Sequence, residues 1–427
     1  MVSDLKALDV LAGEREELDD LPIEFVLGGH PPELIEGADL VCLSGGVPAD
    51  LPLATQARER GIPLSNDSQV FLEACPAATI GITGSAGKTT TTALVGRMAE
   101  AELAGSGRRA WVGGNIGRPL LADLYAMRRE DWAVLELSSF QLELMSVNPR
   151  VAAVLNLTPN HLDRHHTLEA YTAAKVRILT FQKPGDVAVL GRDDAGAWAL
   201  RSCVRGRLLG FGWEPPSKGE GTYLAKDQIW LRLEDRQVPI CPIAKVQLRG
   251  MHNLMNVTAA CAIAAGAGFS PQAMEAGIRG FTGVPHRLEF LRQVNGVDWY
   301  NDSIATAPER SMAAIRAFDQ PLVLLAGGRD KDLPWEAFGD LVCRRVDHLI
   351  VFGEAAGKIL QAVQAARVGD RPFTLEVRPG LETAVQTAAR VAEPGDVVLL
   401  APGGTSFDEF TDFVDRGERF RAWVEAL

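Results

Sequence analysis

Long apolar runs are missing from this sequence. None approaches the ~18–20 residues of a membrane-spanning helix, and the acidic N-terminus has no apolar signal core. Paired cysteines are missing too. Cys42, Cys75, Cys203, Cys241, Cys261 and Cys343 are scattered, with no Cys-x-x-Cys spacing. This pattern argues against a disulfide framework or a zinc site and points to a reducing cytoplasm. No long basic run occurs, and 55 acidic against 43 basic residues leave a formal charge of -12. A nucleic-acid backbone is therefore a poor partner. There is no internal repeat and no low-complexity tract, and tyrosine is scarce.

What is present is apolar material. It makes up 47% of 427 residues, enough for several cores and about three domains. Apolar runs alternate with helical patterns. Residues 38–43, 132–137, 151–157, 321–326, 348–352 and 397–400 read as strands, and 51–60 as a helix. Residues 168–181 read as an amphipathic helix with Ala170, Ala173, Ala174, Ile178 and Phe181 near one face. Such alternation predicts an α/β fold with parallel sheets covered by helices on both faces. Breaks at 73–76 and 280–285 divide the chain into 1–75, 76–284 and 285–427. Residues 206–246, with Pro215-Pro216, Gly219 and Gly221, read as an antiparallel excursion in the middle domain.

One motif stands out: Thr83-Gly84-Ser85-Ala86-Gly87-Lys88-Thr89-Thr90, between a strand at 78–82 and a helix at 91–103. Its glycines let backbone N–H groups turn toward one point, and the helix N-terminus adds positive potential. Lys88 can reach β- and γ-phosphates, and the Thr89 hydroxyl can join Mg²⁺. The loop is shorter than the usual pattern, with Ile82 standing where the first glycine is expected. A plain Ser/Gly turn is the alternative, and the strand and helix on either side favour the phosphate cradle.

Other candidates follow the same strands. Glu136 ends the run 132–137, where a carboxylate meets the metal of a phosphate loop. A solvated Glu at a strand end is the competing reading. His161, His165 and His166 lie in a loop that should face the same cleft, as ligands or as surface polarity. Lys175, inside a helix, reads as a solvated face. Asn253 and Asn256 share one helix face, with Asn253 suited to N-cap that helix. Arg287 suits a phosphate, and Asp302 suits a ribose hydroxyl or a basic group; a surface Arg–Asp pair is the plainer reading. Turns at 327–331 and 403–407 could bind anions or simply join strand to helix.

Together these segments resemble the Mur ligase family of ATP-dependent peptide-bond-forming enzymes. The shortened loop, the run Gly250-Met251-His252-Asn253-Leu254-Met255-Asn256, and His286-Arg287 carry the likeness. Glu136-Leu137-Ser138-Ser139-Phe140-Gln141-Leu142-Glu143, Gly113-Gly114-Asn115-Ile116-Gly117 and Ser406-Phe407-Asp408-Glu409-Phe410 look like the branch that adds D-glutamate. The resemblance spans nearly the whole chain. It implies a Rossmann-like N-terminal UDP-binding domain, a central ATPase sheet and a C-terminal Rossmann-like amino-acid domain. It implies ATP and Mg²⁺ as cofactors, UDP-N-acetylmuramoyl-L-alanine and D-glutamate as substrates, and an acyl-phosphate intermediate. A cytoplasmic monomer is the default.

Roles come with the resemblance. Lys88, Glu136, His161 and Lys175 would be catalytic. Thr89 and Glu136 would hold one Mg²⁺, and His161 with a carbamylated Lys175 a second. Gly84, Ser85, Ala86, Gly87, Lys88, Thr89, Thr90, Asn253, Asn256, Arg287 and Asp302 would contact ATP. Asp4, Lys6, Gly46, Asn115, Ser138 and His161 would approach the UDP substrate. Thr306, Lys331, Ser406, Phe407 and Phe413 would form the D-glutamate pocket. Two departures are visible. The family opens with a strand, a glycine-rich turn and a helix, whereas Val2-Ser3-Asp4-Leu5-Lys6 reads as the end of a second strand. A first βα unit is thus expected to be missing, from a start assigned too late or a shortened chain. The lysine usual after Asn-Asp-Ser is Ile304 here, with Arg310 downstream as its candidate replacement. Alternatives are another Mur-type ligase, a folylpolyglutamate synthetase, or a nucleotide-binding protein without ligase activity.

Overall fold

The computed structural model describes residues 1–6, 18, 20–45, 47–115, 119–158, 162–165, 167–234, 236–248, 250–330, 333–366 and 373–427. Two compact units divide the chain, Met1–Gly280 and Phe281–Leu427. Among the described residues no helix is long and apolar enough to cross a membrane.

The first unit begins with two short parallel pairs. β1 (Val2–Asp4) pairs with β2 (Phe25–Leu27), and β3 (Val41–Cys42) with β4 (Leu64–Ser65). The strand expected over 38–43 is thus only two residues long. Its main sheet comprises β5 (Ala78–Thr83), β6 (Ala110–Gly114), β7 (Trp132–Glu136), β8 (Val151–Val154), β9 (Val187–Gly191), β10 (Arg207–Gly212), β11 (Glu220–Ala225), β12 (Gln228–Leu233) and β13 (Arg236–Pro242). Among the described residues the order is β13-β12-β11-β10-β9-β8-β5-β7-β6. Neighbours from β6 to β11 pair in parallel, while β11–β12 and β12–β13 are antiparallel. The antiparallel pairing expected over 206–246 is thus confined to β11, β12 and β13 at one edge of the same sheet, while β10 continues the parallel part.

The chemistry of these strands explains the layering. Val151–Val154 is buried throughout, as a parallel strand covered on both faces must be. One face packs against Tyr171, Ile178 and Leu179 of the helix Leu168–Thr180. The other lies toward the helix Met251–Gly266, which is apolar nearly all round and buried from Val257 to Ala265. Helices Lys88–Leu103 and Pro271–Ile278 meet closely enough that a Cβ on Gly277 would stand 2.8 Å from the Met98 amide nitrogen. The phosphate-loop strand β5 is central, between β8 and β7. The loops after those three strands therefore share one rim.

The second unit holds β14 (Glu289–Val294), β15 (Val297–Asn301), β16 (Leu322–Gly327), β17 (His348–Phe352), β18 (Thr374–Arg378) and β19 (Val397–Gly403). Among the described residues their order is β14-β15-β19-β16-β17-β18, parallel except for the β14–β15 hairpin. Leu324, Val351 and Leu399 face one core with Phe338 and Ile359. Val323, Leu325 and Val398 face the other with Leu381 and Phe420. This alternation puts helices on both faces.

Candidate active site

The glycine turn after β5 joins that strand directly to a helix, the arrangement a phosphate cradle needs. Gly87 has φ +80° and precedes the helix Lys88–Leu103. A Cβ there would be strained and would collide with Asn256 Oδ1. Asn256 thereby touches the loop, although nearly 170 residues separate them in sequence. Its Nδ2 donates to Asn253 Oδ1 at 3.1 Å. The helix begins at Met251 with Gly250 as its cap, so Asn253 sits in the first turn and is not the N-cap. The two carboxamides form one unit on the loop side.

The loop is braced from β8. Asn156 Oδ1 accepts from the Ala86 N–H at 2.8 Å, Asn156 Nδ2 donates to Ala86 O, and Asn156 O accepts from the Ser85 N–H. The Ser85 hydroxyl donates to Thr158 O at 2.8 Å and accepts from the Thr158 N–H and the Tyr171 hydroxyl. The side chain of Ser85 is thus committed to holding the loop. Lys88 Nζ donates to Gly84 O at 2.9 Å, curling back over the turn. Thr89 is buried and Thr90 half-buried in the first helical turn, whose N–H groups point toward an anion's place.

Glu136 ends β7 on the adjacent strand and is only 2% exposed. Its Oε1 accepts from Asn115 Nδ2 at 3.0 Å, while its buried Oε2 has no hydrogen-bond partner among the described residues. A carboxylate oxygen held dry without a donor suits a cation. Lys175 is 1% exposed, against the solvated face expected for it. Its Nζ donates to Thr83 Oγ1 and to Gly84 O, both at 3.0 Å, and stands 4.8 Å from the Tyr171 ring centroid. Burial pushes its pKa down from 10.5 to about 6; nearby Lys88 adds to this and Glu136 opposes it. Its amine is therefore largely uncharged and nucleophilic at neutral pH. Among the described residues no group of three or more His, Cys, Asp or Glu side chains makes a ready metal cage. The donors that fit a divalent ion are Glu136 and the Thr89 hydroxyl. His161, like Gly46 and Lys331, lies outside the described residues.

Beside the cradle is a cavity of about 280 Å³. Ala86, Gly87, Asn156, Asp193 and Asn256 give it a polar side, and Leu155, Phe211, Trp213, Met255 and Ala259 an apolar one. A flat heteroaromatic base joined to a phosphate chain matches that division.

The remaining candidates separate by unit. Asn115 is bonded to Glu136, and Ser138 caps the short helix Ser139–Leu142 through a reciprocal pair with Gln141. Asp4 Oδ1 accepts from the Lys6 N–H at 2.8 Å, beside the Gly28-Gly29 turn. In the second unit, Asp302 is buried and its Oδ1 accepts from the Leu288 N–H at 2.9 Å. Burial raises its pKa to about 6, opposed by that bond and by Arg287 and Arg310. Arg310 Nη1 donates to the carbonyl of Ile304. Thr306 and Phe413 are half-buried, Ser406 is buried, and Phe407 is exposed.

Residues 82–264 match the Mur ligase middle domain, and residues 286–404 the Mur ligase, glutamate ligase domain. A UDP-N-acetylmuramoylalanine–D-glutamate ligase of Symbiobacterium thermophilum is 41% identical over 417 residues, 97% of this chain and 90% of the relative. One from Koribacter versatilis is 38% identical over 427 residues, covering 100% and 92%. The chain belongs to the Mur ligase family. Solved Mur ligases share its fold. MurC from Thermotoga maritima has a TM-score of 0.55 at 18% identity, covering 99% of this chain and 93% of that one. MurF from the same organism, solved with ADP, has a TM-score of 0.53 at 21% identity, covering 84% and 83%.

For a Mur ligase, two supports of the loop lie outside its glycine-lysine motif. Asn156 and Tyr171 brace it, and His165 is not surface polarity. His165 is buried, with Nε2 2.9 Å from Ser139 Oγ and Nδ1 3.0 Å from Glu143 Oε1, and it stacks on Phe140. Arg164 lies 4.1 Å over the same Phe140 ring and donates to Val47 O at 2.7 Å. The signal available was position: Asn156 is two residues past the end of β8.

Proposed function

We propose that this Mur ligase couples ATP cleavage to joining D-glutamate to UDP-N-acetylmuramoyl-L-alanine, a step of peptidoglycan precursor synthesis. The observation that carries the reading is 41% and 38% identity, over nearly the whole chain, to two relatives bearing that ligase's name. The site chemistry agrees with it. An alanyl carboxylate and a triphosphate repel, so cation support must meet them. Lys88 and the helix N-terminus behind it serve the γ-phosphate. Glu136 and Thr89 would hold one Mg²⁺, and Lys175 as carbamate with His161 a second. Bound Mg²⁺ supplies charge neutralisation and Lewis acidity. The substrate carboxylate attacks the γ-phosphorus, releasing ADP and leaving an acyl phosphate. The D-glutamate amine, as its free base, then attacks that carbonyl; phosphate leaves with the bonding pair, and the amine's surplus proton passes to solvent. Asn253 and Asn256 would contact ATP. Asp4, Lys6, Gly46, Asn115 and Ser138 would face the UDP substrate. Thr306, Lys331, Ser406, Phe407 and Phe413 would receive D-glutamate.

Phosphate release with ATP and Mg²⁺, omitting each substrate in turn, tests this. Release is expected only when UDP-N-acetylmuramoyl-L-alanine and D-glutamate are both present. Release with a folate or another amino acid in their place overturns the assignment, as does none at all.

Arg310 is the proposed stand-in for the missing lysine, since its guanidinium reaches the backbone of Ile304 and opposes the burial-driven rise of the Asp302 pKa. Arg310→Ala should cut kcat/KM for ATP by about tenfold to a hundredfold. Unchanged kinetics at matched thermal stability sinks that role.

A further inference from the structure

Arg416 is an arginine with no exposed surface. It lies one turn inside the helix Phe413–Glu425. Other arginines of that helix pair with carboxylates: Arg421 with Glu289 and Glu418, Arg419 with Asp415. Arg416 does not. Its Nε donates to Ser303 Oγ at 3.0 Å, its Nη2 to Ser303 O at 2.8 Å, and its Nη1 to Gly404 O at 3.1 Å. All three acceptors are neutral oxygens. Burial depresses its pKa only to about 10, so it remains charged. The carboxylates that offset it, Asp408 and Glu409, are anchored elsewhere. Asp408 Oδ2 accepts from the Glu354 N–H and Glu409 Oε2 from the Leu381 N–H.

The position is informative. Ser303 follows β15, Gly404 follows β19, and Gly328 follows β16, three adjacent strands at the centre of the sheet. At Gly328, where φ is +97°, a Cβ would stand 2.9 Å from Arg416 Nη1 and collide with Thr405 O. One guanidinium thus lies against all three loops, at the carboxyl rim where such sheets take ligands. The Ser303 hydroxyl completes the lock by donating to Phe413 O at 2.8 Å. A buried cation without a bonded counter-ion is costly, and an apolar side chain could fill the same volume more cheaply.

We propose that Arg416 is a positioning residue that selects an anionic amino-acid side chain, by locking these three loops and laying positive potential beneath them. It acts through the loop groups at Ser406 and Phe413 rather than by contact with the substrate. The inference rests on the D-glutamate reading above.

The test compares wild type with Arg416→Met, Arg416→Lys and Ser303→Ala, using D-glutamate and its neutral isostere D-glutamine. Arg416→Met should raise KM for D-glutamate at least about tenfold while KM for ATP stays within about twofold. The kcat/KM preference for D-glutamate over D-glutamine should fall by about tenfold or more. Arg416→Lys should keep that preference while raising KM, because it keeps the charge and loses the fork. Ser303→Ala should raise KM about threefold at unchanged preference, and it keeps the idea testable if Arg416→Met does not fold. An unmoved preference in folded Arg416→Met overturns the proposal alone, as does an unmoved KM in Ser303→Ala. A wild type that ignores D-glutamate overturns both this and the functional reading.

Discussion

Lys175→Ala is expected to lose turnover by on the order of 10³-fold and to regain part of it with added acetate or formate. The lysine is an unusual ligand candidate, because an ammonium repels a cation. Its surroundings resolve this. The amine is buried against Thr83 and Gly84, and its pKa is pushed down to about 6. A neutral amine attacks CO₂ through its lone pair and releases one proton, leaving a carbamate anion. That anion can bind a metal where the amine cannot. Removing the side chain leaves room for a small carboxylate to take its place. Restored activity with acetate but not with a neutral amide of similar size supports the carbamate role. Wild-type turnover in Lys175→Ala removes it.

The same lysine sets a pH dependence that needs no turnover to measure. Its folded pKa lies below its unfolded value of 10.5, so the unfolded chain binds the extra proton between about 6 and 10.5. Wild-type stability therefore rises with pH across that window in CO₂-free buffer. Below about 6 the burial penalty is fully present, and above 10.5 it is gone. Near pH 7 it is roughly 5 kcal/mol, as an order of magnitude. Lys175→Met should melt higher than wild type, by more at mildly acidic pH than at alkaline pH. Equal melting temperatures at both would place the amine in water.

The burial of Lys175 was partly legible. The buried residues of its helix are Tyr171, Ala174, Lys175, Ile178 and Leu179, a regular stripe. The pattern read from sequence used Ala170 and Ala173, both exposed, and so ran about one position off. Alanine fits either face, so it could not decide the register. The strands fared better. The stretch 348–352 has the bounds expected, and the phosphate loop lies where glycine and lysine spacing put it. Expected strand 151–157 stops at Val154, because the chain must leave the sheet for Asn156 to reach Ala86. Long-range partners were the illegible part. Nothing local links Gly87 to Asn256, or Arg416 to Ser303 and Gly404. Those contacts exist only once parallel strands bring distant loops to one rim.

Glu136→Gln should abolish most ligase activity, by about 10²–10³ in kcat, while leaving the fold intact. Glutamine has the same shape, and its carbonyl can still accept from Asn115 Nδ2, as Glu136 Oε1 does. What is lost is the charge on the second oxygen, the one buried without a partner. Among the described residues that oxygen accepts no hydrogen bond, so the resting fold does not depend on it. The half-saturating Mg²⁺ concentration should therefore rise by about tenfold or more, with melting temperature within ~3 °C of wild type. Asn115→Ala separates the parts. It removes the donor that orients the carboxylate but keeps the charge, so its Mg²⁺ requirement should shift less than that of Glu136→Gln. A Glu136→Gln protein that melts far below wild type would mark Glu136 as a structural carboxylate. One that keeps wild-type turnover at low Mg²⁺ would remove it from the metal site. Normal stability with a failed metal requirement is the combination expected of a lone pair held for a cation.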